Sequence, residues 1–334
     1  MGGISDIAGV FDSHTLPPNS VIFRKNAGNV GMARDLLDGY RGCLLGLACG
    51  DAVGTTVEFR PRGSFAPVTD MTGGGPFSLS AGQWTDDTSM ALCLGQSLLE
   101  RAGFDARDQM VRYVRWWREG YFSSIGRCFD IGMTVRGALS RFEETGDPFC
   151  GSTAPNTAGN GSLMRLAPVA LYFSANTESV ASICAESSRT THGAPEAIEC
   201  CKLLGTVICN ALRVGEKAVV LDVDDLQLRE VKVVAIANGC YSRKSREEIV
   251  GSGYAVASLE AALWCFHNTE NFREAILAAA NLGDDADTTA AIVGQVAGAF
   301  YGENGIPAEW LGKLHMRAEI EAMADGLYGA AMGR

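Results

Sequence analysis

"NLGDDADTTAAIVGQVAGAFYG", residues 281–302, sets Asp284, Asp285 and Asp287 just ahead of Thr288 and Thr289, and then runs into small and apolar residues. The run reads as a buried helix over 288–301, with Gly294 and Gly298 on one face. Small residues on a shared face let a second helix backbone approach closely. The stretch is too short to cross a bilayer, so packing inside a soluble helical body is the expectation.

The same arrangement occurs once more, far away in the chain. "SAGQWTDDTSMALCLGQSLLE", residues 80–100, places Asp86 and Asp87 between Thr85 and Thr88, again directly before an apolar run. Each cluster alone has a plain explanation, because Asp and Thr are favoured helix N-caps and carboxylates suit the positive end of the helix dipole. One cap needs one side chain, however, and surplus carboxylates on a buried helix start repel each other unless a cation neutralises them. Asp, Glu and Thr oxygens without clustered His or Cys are the hard ligands of Mg²⁺, Mn²⁺ or Ca²⁺. Adjacent Asp86 and Asp87 point about 100° apart on a helix, which suits two ions better than chelation of one.

Helical spacing continues through most of the chain. "ARDLLDGYRGCLLGLACGDAVG", residues 33–54, carries apolar residues at helical intervals and ends in glycine. Further helices are expected over about 88–101, 106–119, 130–144, 163–173, 177–190, 194–213, 253–267, 271–280 and 316–331. Only residues 217–239, "KAVVLDVDDLQL" and "EVKVVAIANG" among them, pass equally for strands or for loops and helices of an insertion. The fold class is therefore all-α, and residues 36–334 are expected to form one compact domain behind an extension over 1–35.

Composition supports this and narrows the function. Of 334 residues, 47% are hydrophobic, ample for a large core, and no Pro- or Ser/Gly-rich linker divides the chain. A net charge of −11 argues against nucleic acid or an anionic membrane as the main partner. Eleven cysteines sit inside apolar runs without any CxxC, which reads as buried reduced thiols and a cytoplasmic setting. No signal peptide or membrane span is apparent.

In "GLACGDAVGTTVEFRP", Asp51 and Glu58 lie where a helix breaks at glycine. A loop glutamate there reaches a metal or its bound water, or else is a solvated charge. Asp51 reads as a helix-end or hydrogen-bonding residue.

On these residues the chain resembles the ADP-ribosylglycohydrolase family. The resemblance spans roughly 38–331 and rests on "GCLLGLACGDAVGTTVEF", "WTDDTSMAL", "DIGMTVRGAL", "GNGSLMRLAPVAL", "SSRTTHGAPEAIECC", "GSGYAVASLEAALWCF" and "NLGDDADTTAAIVGQVAGAFYG", in the family's order. It implies a compact all-α fold whose cleft holds two divalent metals, Mg²⁺ or alternatively Mn²⁺. The implied ligands are Thr85, Asp86, Asp87, Asp285, Asp287 and Thr288, with Glu58 close to the metals. Asn160, Gly161 and Ser162 match a loop that cradles phosphate or ribose, and a Gly-rich helix start suits that role because it exposes backbone N–H groups. His192 matches a position near the bound nucleotide, and Tyr121 and Phe122 lie where the family often places an aromatic for the adenine or ribose. One departure is Gly283-Asp284-Asp285, where many relatives read Gly-Gly-Asp.

The implied reaction is hydrolysis of the bond between ribose C1 and a modified protein side chain, arginine favoured, through an oxocarbenium-like state. Glu58, Asp86 and Asp87 are the candidate base or water-positioning groups. Isoprenoid synthases also pair two Asp-rich helices with Mg²⁺, but they need Asp-Asp-x-x-Asp, and here Met90 and Thr288 stand at the last position. A rival outside catalysis is a binder that occludes an ADP-ribosylating toxin. Residues 1–35 carry Ile4, Ile7, Val10, Phe11, Leu16, Val21, Ile22 and Phe23, too apolar for a solvated tail. That arm is expected to dock on the body or to plug such a toxin, which would make the protein an immunity factor.

Overall fold

Asp35 starts the first helix by accepting the N–H groups of Leu37 and Asp38 at 3.0 and 3.4 Å. The computed structural model describes residues 35–223 and 226–333 of the chain. The arm over 1–35 lies, up to residue 34, outside these described residues, and with it the expectation that it docks or plugs a partner.

Helix α1 (Leu36–Gly54) is followed by α2 (Asp86–Arg101), α3 (Ala106–Glu119), α4 (Met133–Thr145), α5 (Ala167–Phe173), α6 (Thr177–Arg189) and α7 (Pro195–Arg213). After two short helices, α8 (Lys217–Val220) and α9 (Val231–Ala237), come α10 (Ala255–His267), α11 (Phe272–Ala280), α12 (Ala286–Tyr301), α13 (Ala308–Lys313) and α14 (Arg317–Met332). Among the described residues the chain is all-α, with isolated bridges such as Ser152 to His192 and no named strand. No helix there is long and apolar enough to cross a membrane.

Among its described residues, the ambiguous stretch over 217–239 is helix and loop. Glu199 on α7 accepts the backbone N–H of Arg229 and Glu230 at 2.8–2.9 Å, which anchors the start of α9. Val233 and Ile236, three apart, bury the inner face of that helix, a period-3.6 contact that the run of valines hid. Two expected starts also shift inward, to Met133 and Ala167, because the preceding residues serve as loops.

The centre of the fold is the antiparallel pair α1 and α12. Glycines at every fourth position of α1 face α12 throughout. A Cβ on Gly42 would lie 2.3 Å from the Gly298 carbonyl oxygen, on Gly46 2.3 Å from that of Gly294, on Gly50 2.1 Å from that of Ala290, and on Gly54 2.4 Å from that of Ala286. No side chain fits such gaps, so the backbones touch and the two helices cannot slide. Gly294 and Gly298 on α12 answer this column, as their shared face suggested. Helices α10, α11 and α7 pack on α12, and α14 packs on α1. The result is a largely buried pair whose one end joins the C-terminus of α1 to the N-terminus of α12. All eleven cysteines are free, and nine are buried.

Candidate functional site

The start of α2 comes to that same junction, and Asp51 of α1 holds it there. Asp51 Oδ1 accepts the N–H and the hydroxyl of Thr85, both at 2.9 Å. Its Oδ2 accepts the N–H and the hydroxyl of Thr88 at 3.0 and 2.7 Å. The cap of α2 is thus supplied from another helix. Neither Asp86 nor Asp87 is needed for capping, and at α12 no side-chain cap bond is made by Asp285. Capping does not explain the carboxylates.

Their placement gives two tiers. In the deep tier an oxygen from each of Asp51, Asp87 and Asp287 lies within 4.8 Å of the others, all three residues buried. In the outer tier Glu58, Asp130 and Asp287 meet the same limit. Asp287 belongs to both. Thr288 donates its hydroxyl to Asp87 at 3.3 Å, and Thr85 reaches Asp287 at 3.5 Å. Asp86 faces the open cleft while Asp87 turns into the deep tier, as adjacent helical positions require. Asp285 accepts a hydrogen bond from the Asn160 side chain at 2.6 Å, which ties the glycine loop to the acidic end.

Burial and mutual repulsion dominate the electrostatics. Burial first, then the neighbouring carboxylates, push Asp86, Asp87 and Asp287 well above the usual carboxylate range. Glu58 moves the same way for the same reasons. Asp51 rises to about 6 through burial, held back by its four threonine bonds. Asp130 is pushed up to about 7 by burial and by Asp51 and Asp285, while a hydrogen bond with Glu58 opposes the shift. Two buried oxygens, Asp87 Oδ2 and Asp287 Oδ1, have no hydrogen-bond partner. Orphaned oxygens within an all-oxygen, anionic cluster fit a hard divalent cation.

The tiers close one end of a cleft of about 760 Å³, which Glu58, Asp86, Asp130, Asp285, Asp287 and Thr288 line on the acidic side. Gly159, Asn160, Gly161 and His192 line an adjoining wall, joined to the acidic side where Asn160 meets Asp285. A Cβ on Gly161 would sit 2.8 Å from His192 Cε1, so glycine is what lets the loop meet the imidazole. A second hollow of about 760 Å³ continues past Gly159 and Gly253 to Pro155, Pro195 and Tyr254.

Some expected site residues lie elsewhere. Ser162 is buried and turned toward α6 and α7, accepting hydrogen bonds from Ser188 at 2.9 Å and from Cys201 at 3.3 Å, so its side chain does not line the cleft. Tyr121 stacks on Phe122 at 4.2 Å under the Arg115 guanidinium and is not among the cleft-lining residues. The aromatics that do face the groove are Phe59 in the acidic cleft and Tyr254 in the second hollow. Asp284 is exposed at the cleft rim, and its backbone pairs with the other lip: Phe59 N–H to its oxygen at 2.7 Å, and its own N–H to Arg60 O at 2.8 Å.

Asp130 was not among the residues singled out. It precedes α4 by three residues and sits at φ 58°, a left-handed conformation that Asp adopts more readily than most residues. Its one signal was an acid followed by Ile-Gly immediately before a helix, inside "DIGMTVRGAL".

Known proteins resemble this chain in sequence and in fold. The ADP-ribosylglycohydrolase family model matches residues 32–334. An ADP-ribosylarginine hydrolase, Tri1, of Serratia proteamaculans is 46% identical over 295 residues, covering 87% of this chain and 79% of its own. The ADP-ribosyl-[dinitrogen reductase] glycohydrolase of Rhodospirillum rubrum is 34% identical, covering 87% and 95%. A solved ADP-ribosylglycohydrolase-related protein complex superposes with a TM-score of 0.80 at 44% identity, covering 89% of this chain and 99% of that one. With the two acidic helix starts joined at the head of one cleft, the chain belongs to the ADP-ribosylglycohydrolase family.

Proposed function

We propose that the chain is a metal-dependent ADP-ribosylarginine hydrolase, freeing arginine side chains of proteins from ADP-ribose. The observation that carries this is Asp287, shared by two tiers of carboxylates at the closed end of a cleft. The choice of arginine is supported by two relatives named ADP-ribosylarginine hydrolase, 46% and 47% identical.

With cations held at its acidic end, the groove would suit ADP-ribose. The ribose bearing the scissile bond belongs at the acidic end, and its pyrophosphate beside Gly161, since the N–H groups of Gly159 and Asn160 already donate to Thr157 and Gly253 at 2.8 and 3.0 Å. The nucleoside then extends into the second hollow beside Tyr254. Asp51, Asp87 and Asp287 would hold one cation and Glu58, Asp130 and Asp287 a second, with Thr85, Asp86, Asp285 and Thr288 at their edges. Mg²⁺ or Mn²⁺ bound there supplies positive charge that orients ribose hydroxyls and acidifies a water.

The chain's own groups handle the proton. The C1–N bond breaks with its electron pair going to the guanidino nitrogen, and a water oxygen bonds to C1. A carboxylate of the outer tier takes the water's proton and returns it to the departing guanidine. Glu58 and Asp130, which both line the cleft, are the candidates for this. Asp86 lines the wall beside them and stabilises the positive charge that develops on the ring.

The test is incubation with peptides ADP-ribosylated on arginine or on serine, with EDTA or with Mg²⁺. Release from the arginine peptide alone, dependent on the metal, is the expected result. Equal release in EDTA overturns the metal reading, and preference for serine overturns the acceptor.

A further inference from the structure

Behind the glycine loop lies a guanidinium with no carboxylate partner among the described residues. Arg165 is 0% exposed, and its cation sits 4.6 Å above the Tyr113 ring. Its Nη1 donates to the Gly161 carbonyl at 3.0 Å, and its Nη2 donates to Thr191 Oγ1 at 2.7 Å. Thr191 is equally buried, and its Oγ1 lies 2.8 Å from His192 Nδ1. The three side chains form one line from the core to the cleft.

Direction along this line is fixed by proton counting. Arg165 only donates, so Thr191 Oγ1 accepts from it. The Thr191 hydroxyl proton must then go to an acceptor, and His192 Nδ1 is the one that the structure places within reach. Were Nδ1 protonated, it would donate to Oγ1 as Arg165 does, and the buried hydroxyl proton would be left unpaired, a cost of about 1–3 kcal/mol. Nδ1 is therefore the bare nitrogen, and in a neutral ring Nε2 carries the proton. Burial and the nearby Arg165 charge keep the ring neutral, lowering its pKa to about 3. Nε2 has no hydrogen-bond partner among the described residues. It lies 3.2 Å from where a Cβ would stand on Gly159 and on Gly161, so both glycines leave its edge open to the cleft that His192 lines.

We propose that Arg165 and Thr191 are positioning residues that hold His192 as a fixed Nε2–H donor, so the ligand atom seated there is an acceptor oxygen of ADP-ribose. Only the identity of the ligand rests on the function proposed above. The relay itself is a property of the chain. It gives the cleft a donor whose polarity does not invert with pH, unlike the carboxylates that share the cleft.

Two measurements decide it. Long-range ¹H–¹⁵N spectra of histidine-labelled full-length protein at neutral pH, with His192→Gln for assignment, should show the Nε2–H tautomer. The Nδ1–H tautomer overturns the relay outright and needs no variant that might misfold. Calorimetric titration with ADP-ribose in Mg²⁺ should show Thr191→Val binding about tenfold more weakly, the loss of roughly one hydrogen bond. Thr191→Ser, which keeps the hydroxyl, should bind as the wild type does. A Thr191→Val protein with wild-type tautomer and affinity overturns the proposal. Failure of the wild type to bind ADP-ribose would instead sink the nucleotide reading, and the tautomer would still decide the relay.

Discussion

Asp51 Oδ2 holds Thr88 twice, by its N–H at 3.0 Å and by its hydroxyl at 2.7 Å. The carboxylate belongs to α1 and the threonine to α2, so this pair does between helices what a cap usually does within one. It also releases Asp86 and Asp87 from any local duty. Asp51→Ala should cost about 1–2 kcal/mol of stability, the scale of a lost cap. Denaturant titration in saturating Mg²⁺ measures this, and unchanged stability would show the cap to be idle.

Asp87→Asn and Asp287→Asn should behave in the opposite way. Each removes a buried charge with an orphaned oxygen, so the metal-free protein should be as stable as the wild type or more so. Turnover should fall by about 10²–10⁴-fold, the range for groups that handle charge or protons in the transition state. Melting curves in EDTA set beside single-turnover rates separate the two effects. Normal rates in either variant would return the deep tier to a structural role.

The contrast shows what the sequence could disclose. Two Asp-rich starts before apolar runs were legible because local order alone creates the surplus of charge. The helices were legible from their period, and the pairing of Gly294 and Gly298 from their spacing. Asp130 was not, since it joins Glu58 and Asp287 only through the packing of distant segments. Ser162 shows a different limit: it lies in the glycine loop, but its hydroxyl turns to Ser188 and Cys201, a rotation no linear motif records. Residues 217–239 were ambiguous because valine suits strands by propensity, while Glu199 decides the matter from another helix.

A pH dependence follows from the raised carboxylates. Their folded pKa values exceed the usual value near 4, with Asp51 at about 6 and Asp130 at about 7. Between these limits the folded state binds more protons than the unfolded one. Stability of the metal-free protein therefore falls as pH rises from about 4 to 7. Saturating Mg²⁺, which favours the ionised groups, should remove or reverse that slope, and its affinity should weaken as pH drops below 7. Melting temperature against pH, with EDTA and with Mg²⁺, reads both. A flat metal-free profile would mean that the carboxylates ionise freely.

The last prediction concerns how the site is held rather than what it contains. The deep tier exists only because α1 and α12 touch along their whole length, carrying Asp51 and Asp287 to one point. Gly50 is one residue from Asp51, and a Cβ there would lie 2.1 Å from the Ala290 carbonyl oxygen and 2.5 Å from its carbon. Both obstacles are backbone, so the helices must move apart. Gly50→Ala should cost about 1–3 kcal/mol, as overpacking does, and should weaken Mg²⁺ binding as well because the tier widens. Gly329→Ala is the control. That glycine is exposed within α14 and a Cβ there meets nothing within 4 Å. The change should stabilise by about 0.5–1 kcal/mol through helix propensity alone and leave Mg²⁺ affinity untouched. Denaturant curves and Mg²⁺ titration on both variants give the comparison. If Gly50→Ala lost stability yet bound Mg²⁺ as tightly as the wild type, the glycine column would serve the core and not the site.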